Sequence, residues 1–468
     1  MVTAELGPQA RATVVGDSIA ALAKALKQLG HTVSVALPRY ESHEASGLML
    51  ARRLTPLVIE PGLEVTVLDG QLASGVSLVL FDAPAFAGDR PIFGNPDSVE
   101  GQADGARFAL LARAAEALVQ ERRALNKPPD VVHLHDWPAA AMAALPKIDG
   151  SPPRVLTVHD ARRERTFDPK TLGLLGAAAY EERALVDGGT SFLRLGLTHA
   201  DALTTVSSGY AAELQSGELG PLLQQRAMPL AGVLDGLDYA IYNPATDAAL
   251  EARYDAEDSS NKARSKTALL RALELELALE RPLFVVLTKG AAAGALDALL
   301  AALPRLLDQD VAVVLAGHQS DAERAALERL RHEYAGDFAV ATHAEEPELR
   351  RLVAAGDFVM TLRRAVPCAY EELAAQRYGA FPIAHASGGV PDVVVDADAE
   401  LETGTGFTYA EFSEEALLGA FRRALAAYTN PDFGSLRRRL LRRDVSWDRA
   451  ARRYAQIYRQ ARGEGGVA

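Results

Sequence analysis

Short apolar runs of strand length alternate with longer helical stretches rich in Ala and Leu along nearly the whole chain. This alternation is typical of parallel βαβ units, in which a helix returns the chain to the start of each new strand. The sequence therefore predicts an α/β fold made of two doubly wound halves. The predicted strands are residues 32–37, 65–68, 76–81, 131–134, 155–158 and 202–206 in the first half and 283–287, 311–316, 338–342, 358–362 and 381–384 in the second. The predicted helices include residues 17–29, 106–120, 266–277 and 321–334.

Length and local polarity suggest where the halves divide. The chain has 468 residues, and roughly 150 residues per domain suggests two or three units. The polar stretch 243–262 holds Pro244 and an acidic run, and we interpret it as the hinge. Apolar residues from Trp447 to Tyr458 recur at helical spacing, which gives a helix one apolar face. We predict an N-terminal domain over 1–243, a C-terminal domain over 244–444, and a helix over 445–468 that packs back across the hinge.

Charge and cysteine content exclude several classes of partner and compartment. The sequence has 49 Lys and Arg against 62 Asp and Glu, a net charge of −13, which argues against nucleic acid or an anionic membrane as a partner. Cys368 is the only cysteine, so no intramolecular disulfide can form. No apolar run reaches the ~18 residues of a membrane span, and the start lacks the pattern of a signal peptide. We expect a cytoplasmic protein in which any anionic ligand needs a local basic site.

Polar side chains stand at the ends of two consecutive predicted strands in the first half. The sequence VVHLHDW places His133, His135, Asp136 and Trp137 at the end of one strand, and LTVHD places His159 at the end of the next. Ligands of doubly wound domains bind at the carboxyl ends of strands. The HxH pattern with Asp could bind a metal, but a third ligand is not evident. A lone histidine is commonly structural, whereas two in consecutive units favour a shared ligand cleft.

Two turns containing glycine also follow predicted strands. In HASGGVPDVV, Gly388 and Gly389 open a helix and would let backbone amides approach an anion. The turn GVLDGLD at 232–238 fits a connector and a ligand role equally well. The arginine-rich segment 437–453 is more typical of the solvated face of a helix than of a polyanion site. The sequence contains no GxGxxG after the first strand, no GxxxxGK[ST], no GxSxG and no CxxC, which argues against dinucleotide, P-loop and serine hydrolase enzymes.

Taken together, these motifs resemble the bacterial glycogen synthase and starch synthase family. Its members are retaining glucosyltransferases that use ADP-glucose and have the GT-B fold, in which two Rossmann-like domains face a cleft. The resemblance implies an acceptor-side N-terminal domain and a nucleotide-sugar-binding C-terminal domain. The matching segments, in family order, are VTAELGP (2–8), ALAKALKQLGHTVSVALPRY (21–40), FDAP (81–84), RFALLARAA (107–115), VVHLHDW (131–137), TVHD (157–160), SFLRLGL (191–197), ADALTTVS (200–207), GVLDGLD (232–238), VPCAYEELAAQRYGAFPI (366–383), SGGVPDVV (387–394) and DVSWDRAARRYAQIY (444–458).

The resemblance also implies a reaction and a set of residues. Glucose would pass from ADP-glucose or another nucleotide sugar to the nonreducing 4-hydroxyl of an α-1,4-glucan, with no metal or other cofactor. The implied catalytic residues are His159 and Lys289. The implied donor and phosphate residues are Asp17, Arg194, Arg364, Cys368, Ser387, Gly388 and Gly389, and the implied residues of the glucan cleft are His133, Asp136 and Trp137.

Four positions depart from the family pattern where its chemistry needs them. The family's Lys-x-Gly-Gly loop becomes a segment with Thr13 and Val14 in place of glycines. The lysine of its Arg-Leu-Thr-x-Gln-Lys-Gly segment becomes Gly294, and the glutamate of Phe-Glu-Pro-Cys-Gly becomes Val366. Fixed cations and amides must stabilise the charge of a leaving diphosphate. The resemblance therefore implies weak or absent transfer.

Two alternatives remain open from the sequence. A noncatalytic paralogue could bind glucan, or regulate an active synthase, through the retained surface. A transferase for a different nucleotide sugar could use Arg162, Arg163 or Arg165 in place of the missing cations. Asp160 and Asp235 stand where the family usually has Asn, and each would add negative charge near a diphosphate.

Overall fold

The computed structural model describes residues 1–88, 91–96, 98–176, 185–186, 188–317, 321–341, 346–398 and 401–464. The chain divides into two compact units. Unit 1 contains Met1–Asp235 and Trp447–Ala468, and unit 2 contains Gly236–Ser446. The first segment of unit 1 thus ends at Asp235, eight residues before the boundary predicted at 243. Thr342, the predicted end of one strand, and residues 465–468 of the predicted last helix lie outside the described residues.

Unit 1 combines a large sheet with small strands and seven helices among its described residues before residue 236. Its strands are β1 (Ser34–Pro38), β2 (Leu50–Arg52), β3 (Leu57–Glu60), β4 (Leu63–Gln71), β5 (Ser77–Asp82), β6 (Val132–His135), β7 (Arg154–Val158), β8 (Thr166–Phe167), β9 (Leu185–Val186), β10 (Gly189–Ser191), β11 (Ala202–Thr205) and β12 (Ala231–Gly232). Its helices there are α1 (Val14–Gln28), α2 (Ser42–Ala45), α3 (Val99–Ala124), α4 (Asp136–Ala140), α5 (Phe192–His199), α6 (Ser208–Ser216) and α7 (Gly220–Leu223).

The sheet of unit 1 is parallel at its centre. Strands β12, β11, β7 and β6 are neighbours in that order and parallel, and β1 pairs in parallel with β5. Val2 pairs in parallel with both Leu134 and Ala36, so the start of the chain joins β6 to β1. Beyond β5, strands β4, β2 and β3 continue as antiparallel neighbours. The carboxyl ends of the parallel strands therefore share one edge.

Unit 2 has a six-stranded, wholly parallel sheet. Its strands are β13 (Leu283–Leu287), β14 (Ala312–Ala316), β15 (Phe338–Ala341), β16 (Phe358–Thr361), β17 (Phe381–His385) and β18 (Phe407–Tyr409), in the order β15-β14-β13-β16-β17-β18. Its helices are α8 (Lys262–Ala272), α9 (Ala295–Leu307), α10 (Asp321–Glu333), α11 (Glu348–Ala355), α12 (Tyr370–Arg377), α13 (Val390–Val393), α14 (Glu414–Tyr428) and α15 (Phe433–Arg442). The central strands are buried along their length, as their apolar runs predict. The predicted α/β fold is confirmed.

The last helix, α16 (Trp447–Ala461), belongs to unit 1. Its stripe residues Trp447, Ala451 and Tyr454 are buried in one apolar core with Ile19 and Leu22 of α1. This is the return to the N-terminal unit that the helical spacing predicted, because a stripe of that width must be covered by another element. No helix within the described ranges combines the length and the apolar character needed to cross a membrane.

Candidate functional site

The carboxyl ends of β6 and β7 bring three polar side chains of unit 1 together. The Nδ1 atom of His135 lies 3.1 Å from Nε2 of His159, at hydrogen-bonding distance. The Asp136 carboxylate accepts a hydrogen bond of 2.6 Å from the backbone N–H of His159. Asp136 has φ +55°, a left-handed conformation that aspartate tolerates better than most residues. This sharp turn out of β6 directs its carboxylate toward the end of β7.

Burial keeps the two imidazoles of this cluster uncharged at neutral pH. Burial lowers the pKa of His135, and burial together with Arg163 lowers the pKa of His159 to about 3. Burial raises the pKa of Asp136 to about 7, against the hydrogen bond from the His159 backbone. Neutral imidazoles can hydrogen-bond to a sugar hydroxyl, but they are poor proton donors near pH 7. The two histidines are therefore suited to positioning a ligand more than to acid catalysis.

His133 and Trp137, which the resemblance assigns to a glucan cleft, lie in the interior of unit 1. His133 is 2% exposed, with Nδ1 2.8 Å from Tyr458 Oη and Nε2 2.6 Å from Thr157 Oγ1. It lies two residues before the end of β6, so α16 covers it. Trp137 is 3% exposed and packs edge-on against Phe108. Both side chains are buried in the structure, and their place in a glucan cleft stays a prediction of the resemblance.

The metal interpretation of the HxH pattern receives no geometric support. Across the described part of the chain, no three His, Cys, Asp or Glu side chains converge as ligands of one ion. His135 and His159 instead contact each other, and His133 is engaged by hydroxyl groups.

The loop that leads into α1 is tied to an internal carboxylate. Glu5 accepts hydrogen bonds from the backbone N–H of Ala12 at 3.0 Å and of Thr13 at 2.6 Å. The Thr13 hydroxyl donates to Glu5 and accepts from the N–H of Val15, so Thr13 is the N-cap of α1. Val14 is half exposed. At this helix start, the amides of Ala12, Thr13 and Val15 are already satisfied within the protein.

Arg162, Arg163 and Arg165, which the sequence suggested for a phosphate role, and Arg11 are each paired with a carboxylate of unit 1. Such pairing offsets the charge that a diphosphate would otherwise attract. Asp17, another residue implied at the donor site, is itself the partner of Arg11. The pairs are Arg11 with Asp17 at 2.7 Å, Arg162 with Asp160 at 2.7 Å, Arg163 with Glu5 at 3.7 Å, and Arg165 with Asp104 at 2.8 Å.

Arg194 is held by two carboxylates. Its Nε lies 3.0 Å from Glu164, and Nη2 also pairs with Glu218. Burial would lower the pKa of Arg194, but its hydrogen bonds to Glu164 and Glu218 raise it overall. Arg194 is therefore charged and already neutralised by its neighbours.

Asp235, in the turn that follows β12, is a buried acid. It is 4% exposed and accepts a hydrogen bond of 3.0 Å from the Ser18 hydroxyl. Its other oxygen, Oδ1, has no hydrogen-bond partner among the described residues. Burial raises the pKa of Asp235 to about 7, so a neutral form predominates below that pH.

Unit 2 presents a different group of side chains at its strand ends. Lys289 follows β13, Arg364 follows β16, and the turn at Ser387 follows β17, and these three strands are adjacent. Lys289 and Arg364 are exposed, and neither forms an ion pair with any residue that the structure describes. The Arg364 guanidinium lies 5.3 Å from the centre of the Phe412 ring. These two cations lie at the same edge of the sheet as the glycine turn.

The glycine turn rests against the segment that carries Val366. Gly388 has φ +55°, and a Cβ there would lie 2.1 Å from the Val366 carbonyl oxygen, so only glycine fits. The N–H of Gly389 donates to that same oxygen at 2.7 Å, and the Ser387 hydroxyl donates to the Arg364 carbonyl. The Val366 side chain is 1% exposed. Val366 thus supports the turn through its backbone and contributes no polar side chain.

The remaining predicted positions of unit 2 lie in the same region. Gly294 is the N-cap of α9 with φ +75°, and a Cβ there would meet no atom within 4 Å. Cys368 is half-buried and forms no disulfide. The sequence interpretation overlooked Arg363, Glu371 and Glu372, which form a charged cluster beside Cys368. The sequence does contain a signal for this cluster, since two consecutive glutamates stand in the first turn of a helix that follows a buried strand.

Comparison with known proteins relates the whole chain to one family. The family profile described as "Starch synthase catalytic domain" matches residues 1–227. A glycogen synthase of Moorella thermoacetica is 30% identical, over 98% of this chain and 96% of that protein. A glycogen synthase of Anaeromyxobacter sp. (strain Fw109-5) is 34% identical, over 98% of each chain.

Solved structures agree on the fold. The catalytic domain of starch synthase IV from Arabidopsis thaliana, bound to ADP and acarbose, superposes with a TM-score of 0.82 at 24% identity, over 99% of this chain and 98% of that one. Sucrose-phosphate synthase from Thermosynechococcus elongatus superposes with a TM-score of 0.57 at 16% identity, over 96% of this chain and 94% of that one. The fold is GT-B, and with relatives at this identity over 98% of its length the chain belongs to the glycogen and starch synthase family of glycosyltransferases.

Proposed function

We propose that this protein is a glucosyltransferase of the glycogen synthase type that transfers glucose from ADP-glucose to an α-1,4-glucan only slowly. The donor and acceptor classes follow from the family and from the ADP and acarbose named for the starch synthase IV structure. The observation that carries the low rate is the ion pairing of Arg194 with Glu164 and Glu218 and the pairing of Arg162, Arg163 and Arg165 with carboxylates.

The physical basis is the charge that develops on the leaving nucleoside diphosphate. Removing one group that stabilises such charge costs about 10²- to 10³-fold in rate. Lys289 and Arg364 are the exposed cations at the strand ends of unit 2 that lack a carboxylate partner among the described residues. We assign the diphosphate to these two side chains and to the turn at Ser387. Two cations are fewer than the family's pattern implies for stabilising the leaving diphosphate. We therefore expect the protein to bind the nucleotide but to transfer glucose slowly.

A noncatalytic glucan-binding role is the second candidate, and the same ion pairs favour it. If the internal carboxylates neutralise the donor site completely, the protein would bind glucan and no nucleotide. The third reading, transfer from another nucleotide sugar through Arg162, Arg163 or Arg165, gains no support from the geometry. Those guanidinium groups are paired with Asp160, Glu5 and Asp104, respectively.

Calorimetric titration with ADP, together with co-sedimentation on glycogen, separates these candidates. The slow transferase predicts ADP binding that the Lys289→Met variant weakens, and retention of the protein on glycogen. Glycogen retention with no heat from ADP up to millimolar concentration would assign the noncatalytic role. Binding of a different nucleotide sugar in preference to ADP-glucose, lost in an Arg163→Met variant, would assign the third.

A further inference from the structure

Three charged side chains form a cluster where β16 leads into α12. The Nη2 atom of Arg363 hydrogen-bonds to Glu371 and lies 3.7 Å from Glu372 Oε2. The side chains of Arg363 and Glu371 are 23% and 18% exposed, whereas that of Glu372 is fully buried. The Nε and Nη1 atoms of Arg363 donate to no described residue. The guanidinium therefore keeps donor capacity beyond its pairing with Glu371.

The cluster lies at the edge of the sheet that carries the proposed diphosphate site. A Cβ at Gly290 would lie 3.4 Å from Arg363 Cδ, so the arginine stem packs against the residue next to Lys289. The backbone N–H of Ala292 donates to the Leu362 carbonyl at 2.8 Å. The loop after β13 thus contacts the loop after β16, and the side chain of Arg363 packs against Gly290, next to Lys289.

The two glutamates lie in the first turn of α12, which has eight residues and Ala369 as its N-cap. The start of a helix that follows a buried strand favours an anion, because its free N–H groups and dipole are positive. Glu371 and Glu372 bring negative charge to that position. Glu372 is engaged by the Thr361 hydroxyl through Oε1, and burial raises the pKa of Glu372. Glu371 is therefore the carboxylate that directly holds the arginine.

We propose that Glu371 lowers the affinity of this site for a nucleoside diphosphate by occupying Arg363, whose guanidinium becomes available to phosphate when that carboxylate is removed. The proposal rests on the proposed function, because it concerns the same donor site. Glu371 acts in two ways, as an internal anion that competes with phosphate for the guanidinium and as a negative charge at the helix start. Both effects oppose a dianionic ligand more than a neutral sugar.

The test compares the affinity of full-length variants for ADP and for inorganic pyrophosphate by titration calorimetry. In the Glu371→Gln variant, we expect both ligands to bind about tenfold more tightly than in the wild type. The double variant Arg363→Met/Glu371→Gln should lose this gain, because the released arginine is then absent. The Glu328→Gln variant is the matched control, since Glu328 also pairs with an arginine of its unit, Arg331 at 3.3 Å, on the exposed face of α10.

Two results would overturn the proposal. One is an unchanged affinity in Glu371→Gln when its thermal unfolding shows a folded protein. The other is a gain that persists in the double variant, which would mean that Arg363 is not the group released. A labelled transfer assay on the wild type tests the proposed function separately. Fast transfer would contradict the slow transferase while leaving the effect of Glu371 on affinity measurable.

Discussion

The two units hold the polar groups at their strand ends in different surroundings. In unit 1, His135, His159 and Asp136 are buried against one another, and the arginines nearby are paired with carboxylates. In unit 2, Lys289 and Arg364 are exposed and lack a carboxylate partner among the described residues. Both edges belong to parallel sheets, so the architecture alone does not explain the difference. The contrast shows that these arginines of unit 1 are neutralised by carboxylates, whereas unit 2 presents two cations that no described carboxylate neutralises.

The largest expected effect is a loss of stability from a substitution in the glycine turn of unit 2, which lies at the same sheet edge as Lys289 and Arg364. Gly388→Ala places a Cβ 2.1 Å from a backbone oxygen at φ +55°, so we expect it to lower the free energy of unfolding by about 3 kcal/mol or more. Gly294→Ala is the control at φ +75° with open space around it, and should cost about 1 kcal/mol. Equal losses in chemical denaturation would show that packing against Val366 does not set the requirement for glycine.

The next effect tests whether the acids of unit 1 are buried in an uncharged form. Asp235 has a pKa of about 7 in the folded protein against an ordinary value of 3.8. The folded state therefore binds the proton more tightly than the unfolded state, and this stabilisation, complete below about pH 4, is lost as pH rises through about 7. Asp235→Asn stays neutral, so we expect a gain of about 2 kcal/mol over the wild type at about pH 8 and none at about pH 4.

Urea unfolding at both pH values measures this difference. Asp168→Asn is the matched control, because Asp168 is exposed and its carboxylate likewise accepts a hydrogen bond, from the Lys170 backbone N–H. A gain from Asp235→Asn of the same size at both pH values would contradict the burial of a neutral acid and point to a pH-independent packing effect.

A smaller effect is expected on ADP affinity when one cation from each unit is replaced. Lys289→Met should weaken ADP binding about tenfold, because it removes a charge that has no internal partner. Arg194→Met should change ADP affinity by less than about twofold, because Glu164 and Glu218 already neutralise that guanidinium. Calorimetry on both variants makes the comparison directly. A larger loss from Arg194→Met would reverse the assignment of the diphosphate to unit 2.

The smallest expected effect is the difference in stability between variants of Glu164 and Glu218, the two carboxylate partners of Arg194. Glu218 is 78% exposed, and Glu218→Gln should change the free energy of unfolding by less than about 0.5 kcal/mol. Glu164 is 19% exposed and also accepts from the Ser191 hydroxyl, so Glu164→Gln should cost about 1 kcal/mol or more. Thermal unfolding of the two variants ranks them, and the opposite ranking would place the main anchor of Arg194 at the surface.

Local sequence patterns were sufficient for most of the fold. The apolar runs at 283–287 and 358–362 became β13 and β16, and the spacing from Trp447 became α16, because burial patterns repeat over a few residues. The antiparallel strands β2 and β3 were missed, because three or four residues at a sheet edge carry too little pattern. The predicted strand 65–68 is only the middle of the longer β4.

The clustering of some candidate site residues could be predicted from the sequence, whereas their burial and ion pairing could not. The rule that ligands bind at strand ends located His135, Asp136 and His159, which the structure brings together. The burial of His133 depends on α16, more than 300 residues later in the chain. The pairing of Arg163 with Glu5 likewise joins residues that are distant in sequence. No local pattern contains such contacts.

The initial rate of labelled glucose transfer from saturating ADP-glucose onto glycogen tests the central claim most directly. An ordinary enzyme turns over about 10 times per second, and the loss of one charge-stabilising group costs about 10²-fold or more. We predict a turnover below about 0.1 per second for the wild-type protein. A turnover of about 10 per second would contradict the account, because it would require a full set of diphosphate-stabilising groups.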